Sequence, residues 1–76
     1  MNFMEYCEQN NIKLLKEDIK HIRKCISNMP YNLRKAVLRR YCDIWVRELK
    51  TNENVAVAQN LGRKAANLYL LKGDDD

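Results

Sequence analysis

Apolar residues recur at helical spacing along the chain, and the clearest pattern lies between residues 12 and 29. Six apolar side chains there are spaced alternately three and four residues apart, and most residues between them are charged. This spacing places the apolar side chains along one stripe of an α-helix, which is typical of a helix with one buried face. The pattern predicts a helix over about 12–28 whose buried stripe comprises Ile12, Leu15, Ile19, Ile22, Ile26 and Met29.

The next segment, about 31–50, carries two adjacent apolar rows. One row is Leu33, Val37, Tyr41 and Ile44, and the other is Leu38, Cys42, Trp45 and Leu49. A helix covered by one partner needs only one stripe, so we expect this helix to be central and contacted on two sides. Pro30 ends the preceding helix and allows a tight connection, which predicts antiparallel neighbours.

A third pattern predicts a helix over about 55–71. Gly62 lies inside it at a cost of about 1 kcal/mol relative to Ala. We expect a continuous helix, which another helix can approach closely because Gly62 has no side chain. Alternatively, one helix ends at Gly62 and another begins. Gly73 would then close the helix. The apolar row of this helix is Ala58, Leu61, Ala65, Leu68 and Leu71.

The first ten residues form a short apolar cluster in which Phe3 and Cys7 share a helical face. We expect a short helix or an N-terminal arm there, with Asn10 or Asn11 capping the helix that follows. A chain of 76 residues is too short for two domains. The sequence therefore predicts one all-α domain over 1–73, a small antiparallel bundle of three main helices plus a short N-terminal helix, followed by an acidic disordered tail over 74–76.

The longest uninterrupted apolar runs, 55–58 and 68–71, are only four residues each. A helix needs roughly 20 apolar residues to cross a bilayer. The amino end has no basic segment followed by an apolar one, which is the pattern of an export signal. We therefore expect no membrane association and a cytoplasmic location. Three cysteines, an odd number, argue for free thiols over a disulfide framework.

One metal site deserves consideration because His21 and Cys25 would share a helical face, and Cys7 with Cys42 could complete a Cys3His set for zinc. Structural zinc sites usually have closely spaced ligand pairs on both sides, which this chain lacks. The alternative is that the thiols behave as small hydrophobic side chains. We expect neither a metal nor another cofactor.

The predicted folded body is more basic than the whole chain. Residues 1–73 hold all 14 basic side chains but only seven of the ten acidic ones, so their formal charge is +7. Basic side chains at this density on the third and fourth helices could neutralise phosphates. Asp43 is spaced to pair with part of them, and no aromatic residues alternate with basic ones for base stacking.

Catalysis is not predicted, because one histidine and no Gly-rich phosphate loop offer no recognisable reactive centre. Protein binding is favoured instead, since tyrosine and arginine are common at the centres of interfaces. The spacing of the 12–29 stripe is also compatible with a homodimer that shares a core. The candidate contact residues are Arg39, Arg40, Arg47, Arg63 and Lys64, with Tyr31 and Tyr69 as aromatic anchors.

A resemblance adds a biological setting. The run Arg39-Arg40-Tyr41, followed by Trp45 and by the segment 59–68 with its Gly-Arg-Lys-Ala-Ala-Asn core, resembles the carboxyl-terminal part of small all-helical proteins encoded by bacteriophages and prophages. This resemblance implies a bacterial host cell and a small protein that modulates or inhibits a host machine for replication, transcription or defence. It is equally compatible with a small basic DNA- or RNA-binding accessory protein, which stays the alternative.

Overall fold

Residues 2–73 of the chain, the part that the computed structural model describes, form four α-helices and no strand. The helices are α1 (Phe3–Gln9), α2 (Lys16–Ile26), α3 (Tyr31–Thr51) and α4 (Val55–Lys72). The all-α prediction is therefore confirmed, whereas the predicted tail over 74–76 lies outside the described residues. None of these four helices combines the length and the apolar character that crossing a membrane requires.

The ends of α1 and α4 follow local capping chemistry. The Asn2 side chain accepts a hydrogen bond from the Glu5 amide at 2.8 Å, and the Asn54 side chain accepts one from the Val57 amide at 3.1 Å. Each bond satisfies an amide that has no partner within the first turn of its helix. Gly73 closes α4 with a φ of 71°, a left-handed conformation that favours glycine, as predicted.

Helix α3 is the central element, and its middle is fully enclosed. Tyr41, Cys42 and Trp45 have no measurable exposure. On one side α1 packs against it, where the ring of Phe3 meets the edge of Tyr41 at a centroid distance of 6.2 Å. On the other side it packs closely against α4. Helix α3 is therefore covered on two sides, as predicted, although Leu33 near its start is 48% exposed. Helix α2, predicted as a neighbour of α3, packs mainly against α4.

Gly62 explains how closely α4 approaches α3. A Cβ atom built on Gly62 would lie 2.5 Å from Cδ1 of Trp45 and 2.9 Å from its Nε1. Only a residue without a side chain fits there, because carbon atoms in contact are normally about 3.5–4.0 Å apart. Helix α4 runs through Gly62 without a break, so the expected continuous helix is confirmed.

The predicted apolar row of α4 is wrong at its three leucines, whereas Ala58 is buried and Ala65 packs against the core. Ala58, Gln59, Gly62, Ala66 and Leu70 are buried, whereas Leu61, Leu68 and Leu71 are 40%, 46% and 70% exposed. The reason is that α4 turns Gly62 and Gln59 toward the large Trp45 side chain. Leu61, Leu68 and Leu71 consequently face outward, and Leu70 is the one leucine of α4 that is buried.

Helix α2 begins at Lys16 rather than near residue 12, so the predicted start is wrong. The segment 12–15 is not helical, and Asn11 before it has a positive φ of 61°. Ile12 still reaches the core at 5% exposure, while Leu15 is 51% exposed. Helix α2 also ends at Ile26, two residues before the predicted end.

The backbone of this early segment bonds to side chains of α4 instead of forming a helical turn. Gln59 Nε2 donates a hydrogen bond to the Asn11 carbonyl at 2.6 Å, and Arg63 Nη2 donates one to the Lys13 carbonyl at 2.8 Å. Because these bonds satisfy the two backbone carbonyl groups, these groups do not need amide partners within a helix. Neither Asn10 nor Asn11 caps α2, since Asn10 ends α1 and α2 starts after Leu15.

Candidate functional site

An open groove runs between α1 and the first half of α3. Four of its buried or half-buried lining residues are apolar or aromatic: Phe3 and Tyr6 from α1, and Leu38 and Cys42 from α3. The groove has a volume of about 880 Å³. Sites that hold a drug-sized ligand occupy about 300–1,000 Å³, so this groove can accommodate several side chains of a partner.

The edge of the groove is basic. Arg34, Lys35 and Arg39 all line it, and no acidic residue of the described chain 2–73 does. Tyr31 stands at the same edge with 81% of its surface exposed. The groove therefore combines an apolar floor with three cations and one exposed aromatic ring.

Two of the three cations also hold the structure in place. Arg34 donates hydrogen bonds from Nε to the Met29 carbonyl at 2.8 Å and from Nη2 to the Ser27 carbonyl at 3.0 Å, which fixes the connection between α2 and α3. The Arg39 guanidinium lies 4.7 Å from the centre of the Tyr6 ring, a cation–π contact between α3 and α1. Lys35, which is exposed, is the cation best placed to meet a partner.

Arg39 has a second contact, an ion pair in which its Nε lies 3.7 Å from Asp43 Oδ1. The two side chains are 65% and 49% exposed, so water screens their attraction and the pair is worth little stability. Asp43 thus pairs with the basic stretch of α3, as its spacing predicted.

The predicted contact residues are divided between several surfaces. Tyr31 and Arg39 lie together at the groove, whereas Arg40 and Arg47, seven residues apart on α3, lie outside its lining. On α4, Lys64 is exposed and Tyr69 is half-buried, and neither lines the groove.

Arg63, also predicted as a contact residue, is directed into the fold. Its Nε donates to Asp18 Oδ2 at 2.8 Å, in a pair whose side chains are only 21% and 4% exposed. Its guanidinium also lies 5.1 Å from the centre of the Trp45 ring. Arg63 therefore joins α2 to α4 and packs on the central helix.

Asp18 is the centre of a buried polar network. Besides Arg63, its carboxylate accepts hydrogen bonds from Asn67 Nδ2 and from the Leu15 amide, each at 2.9 Å. Burial by itself would raise the pKa of Asp18, but the hydrogen bonds from Leu15, Arg63 and Asn67 outweigh it and hold the pKa below its usual value. The carboxylate is consequently ionised at neutral pH.

The network continues into α3 through two aromatic side chains. The Tyr41 hydroxyl donates to Asn67 Oδ1 at 2.8 Å, and Trp45 Nε1 donates to Gln59 Oε1 at 2.9 Å. Burial raises the pKa of Tyr41, so its hydroxyl stays protonated and available as a donor. These contacts are structural, since they connect α2, α3 and α4 and satisfy every group involved.

Sequence reasoning missed both the groove and this network. A signal for Asp18 exists, because it lies four residues before Ile22 and therefore on the same helical face. Phe3 and Tyr6 stand out in the sequence as apolar, but nothing in the pattern indicates that they pack beside Leu38.

The four residues considered as a Cys3His set form two separate pairs. Cys7 and Cys42 have their sulfur atoms 3.6 Å apart, and the sulfur of Cys25 lies 3.8 Å from the His21 ring nitrogens. Within residues 2–73, no group of three or more histidine, cysteine or acidic side chains is arranged to hold a metal ion.

No protein-family model, curated protein or solved structure matches the chain. Function is therefore inferred from the groove and the surfaces around it.

Proposed function

We propose that this protein is a noncatalytic helical binding module that docks on another protein through the groove between α1 and α3. The observation that carries the proposal is the combination of an apolar floor with Arg34, Lys35 and Arg39 at the edge and no acidic lining residue in the described chain. The complementary partner is a segment that inserts apolar side chains and carries Asp or Glu beside them.

The apolar floor favours a protein over a nucleic acid. Binding to the phosphate backbone of a duplex depends on cations and counterion release, which gives no role to an apolar floor of Phe3, Tyr6 and Leu38. Tyr31 suits a protein interface, because an exposed tyrosine offers a large rigid contact area with a polar end.

We also propose the finer architecture predicted from the sequence, an antiparallel bundle of α2, α3 and α4 in a single domain. Two contacts support opposite directions for α3 and α4: Tyr41 meets Asn67, while Trp45, later on α3, meets Gln59, earlier on α4. A homodimer stays a prediction.

The resemblance to phage-encoded proteins suggests the partner class, a component of host replication, transcription or defence in the bacterial cytoplasm. This setting is part of the proposal, and it makes a bacterial lysate the appropriate source of candidate partners.

The test is affinity capture from such a lysate with and without nuclease, using the chain and two charge-reversal variants. Lys35→Glu places a negative charge at the groove, and Lys64→Glu makes the same change on α4 outside it. Both residues are exposed helix positions, so helical circular dichroism should be unchanged in both variants. We expect a specific protein to be retained after nuclease treatment by the unmodified chain and by Lys64→Glu, and lost with Lys35→Glu.

Two results would contradict this function. Retention of the same protein by Lys35→Glu but not by Lys64→Glu would move the interface to α4. Binding to random duplex DNA that falls steeply between roughly 50 and 200 mM salt, with no protein retained after nuclease, would establish the alternative of a nucleic-acid-binding accessory protein.

A further inference from the structure

Two cysteines from different helices meet inside the core. The sulfur atoms of Cys7 on α1 and Cys42 on α3 lie 3.6 Å apart, and the residues are 2% and 0% exposed. They are 35 positions apart in the sequence, so the packing of α1 on α3 alone brings them together. We propose that this pair is a redox modification site, which forms a reversible intramolecular disulfide when the protein meets a hydroperoxide. The proposal does not depend on the proposed binding function.

The geometry requires only a small adjustment. Sulfur atoms in a disulfide are about 2.05 Å apart, so the two must approach each other by about 1.5 Å. Rotation of the side chains supplies part of this approach, and a slight displacement of α1 supplies the rest. Helix α1 has only seven residues, and Cys7 is its one fully buried side chain, so few contacts oppose the displacement.

The third cysteine is positioned differently. Cys25 on α2 is half-buried and lies beside His21, with its sulfur 3.8 Å from the ring nitrogens. The folded chain therefore pairs Cys7 with Cys42 and leaves Cys25 outside the pair.

The hydrogen bond between the two thiols assigns them different roles. The hydrogen bond with Cys42 lowers the pKa of Cys7, and this effect outweighs the burial that opposes it. The same hydrogen bond, together with burial, raises the pKa of Cys42. Cys7 is thus the better nucleophile and Cys42 the thiol that resolves the intermediate.

The reaction balances as a two-electron oxidation. The Cys7 thiolate attacks one oxygen of the hydroperoxide, the O–O bond breaks, and a sulfenic acid forms while the other oxygen leaves as an alcohol or water. The Cys42 sulfur then attacks the sulfenic sulfur, the S–S bond forms, the S–O bond breaks, and hydroxide leaves with the Cys42 proton as water. A thiol reductant reverses the oxidation by thiol–disulfide exchange.

The bond would connect the two walls of the groove, because α1 supplies Phe3 and Tyr6 and Cys42 itself belongs to the lining. Oxidation would therefore fix the position of α1 against α3 covalently.

The test treats the reduced full chain with one equivalent of hydrogen peroxide, followed by alkylation in denaturant and mass spectrometry. We expect a mass loss of about 2 Da, which corresponds to two hydrogen atoms. One thiol should be alkylated instead of three, and dithiothreitol should restore all three. Trypsin should release the fragments 1–13 and 41–47 joined to each other.

Two controls distinguish folded geometry from general thiol reactivity. Cys25→Ser should give the same mass loss, because Cys25 takes no part. The chain treated in urea should give a mixture that includes links to Cys25. Three alkylatable thiols after treatment, sulfinic acid at Cys7 or Cys42, or a principal link to Cys25 in the folded chain would each overturn the proposal.

Discussion

Replacing Gly62 with Ala is the sharpest test of how α3 and α4 pack. In an exposed helix, this change stabilises the fold by about 1 kcal/mol, because Ala is the better helix former. At Gly62 the new Cβ would lie 2.5 Å from Cδ1 of Trp45 and 2.9 Å from Cγ and Nε1. This is about 1 Å closer than carbon atoms in contact normally approach.

The Trp45 ring cannot easily move away, because it has no measurable exposure and its Nε1 is bonded to Gln59 at 2.9 Å. Insertion of a methyl group into a filled core typically costs about 1–3 kcal/mol. After subtraction of the gain in helix propensity, we expect Gly62→Ala to lower the free energy of unfolding by up to about 2 kcal/mol, instead of raising it by about 1 kcal/mol. For a domain of this size, each 1 kcal/mol lost lowers the melting temperature by about 4–8 °C.

The assay is urea and thermal unfolding followed by circular dichroism, with Trp45 fluorescence as a second probe because the chain has one tryptophan. Ala36→Gly is the matched control, since Ala36 is exposed in the interior of α3 and its replacement should lose about 1 kcal/mol from propensity alone. In a Trp45→Leu background, followed by circular dichroism, Gly62→Ala should no longer destabilise. An increase of about 1 kcal/mol in the stability of Gly62→Ala itself would refute the close contact.

The buried network gives two further predictions. Asp18→Asn should lower the free energy of unfolding at pH 7 by about 1–3 kcal/mol. The reason is that the NH2 group of the introduced amide would face hydrogen-bond donors at a place where a carboxylate oxygen now accepts their bonds. Since the folded pKa of Asp18 is below its unfolded value of about 3.9, its stabilising effect is present above that value and is lost as pH falls through the folded pKa. Urea titrations at several pH values should therefore show a smaller loss on acidification for Asp18→Asn than for the unmodified chain, and equal losses would contradict this. Arg63→Ala should cost about 2–3 kcal/mol by leaving the Asp18 carboxylate with fewer partners, whereas Lys64→Ala next to it should change stability by less than about 0.5 kcal/mol. Similar stabilities of the two variants by urea unfolding would show that Arg63 has no structural role.

Helix α3 shows what the apolar pattern can predict. Its two rows correctly indicate a central helix, because the number of apolar faces on one helix reflects the number of neighbours that cover it. Its observed range, Tyr31–Thr51, also agrees with the predicted segment. Asn2, Pro30 and Gly73 mark helix ends through local chemistry that depends on few other residues.

Helix α4 shows why the rest could not be predicted. Its buried face is selected by the shape of Trp45 and by the hydrogen bonds that Gln59 and Asn67 accept from α3, so Leu61, Leu68 and Leu71 point outward. The non-helical conformation of segment 12–15 also depends on distant residues, because its backbone bonds to side chains about 50 residues away. Such interactions between distant residues leave no periodic signal in the sequence.

The groove could not be predicted for a related reason. Phe3 and Leu38 become neighbours only when α1 packs on α3, and neither residue alone indicates a binding surface. Tyr31 and Arg39 were identified by residue type, which is why they were grouped with Arg47, Arg63 and Lys64 on other parts of the molecule.

The most direct test of the central claim is to map amide chemical shifts of the isotope-labelled chain as the captured partner protein is added. Binding through the groove predicts shift changes concentrated in residues 2–6 and 31–42, which form its two walls. Changes confined to the exposed face of α4, around Leu61, Leu68 and Leu71, would show that the partner docks elsewhere and would contradict the proposed site.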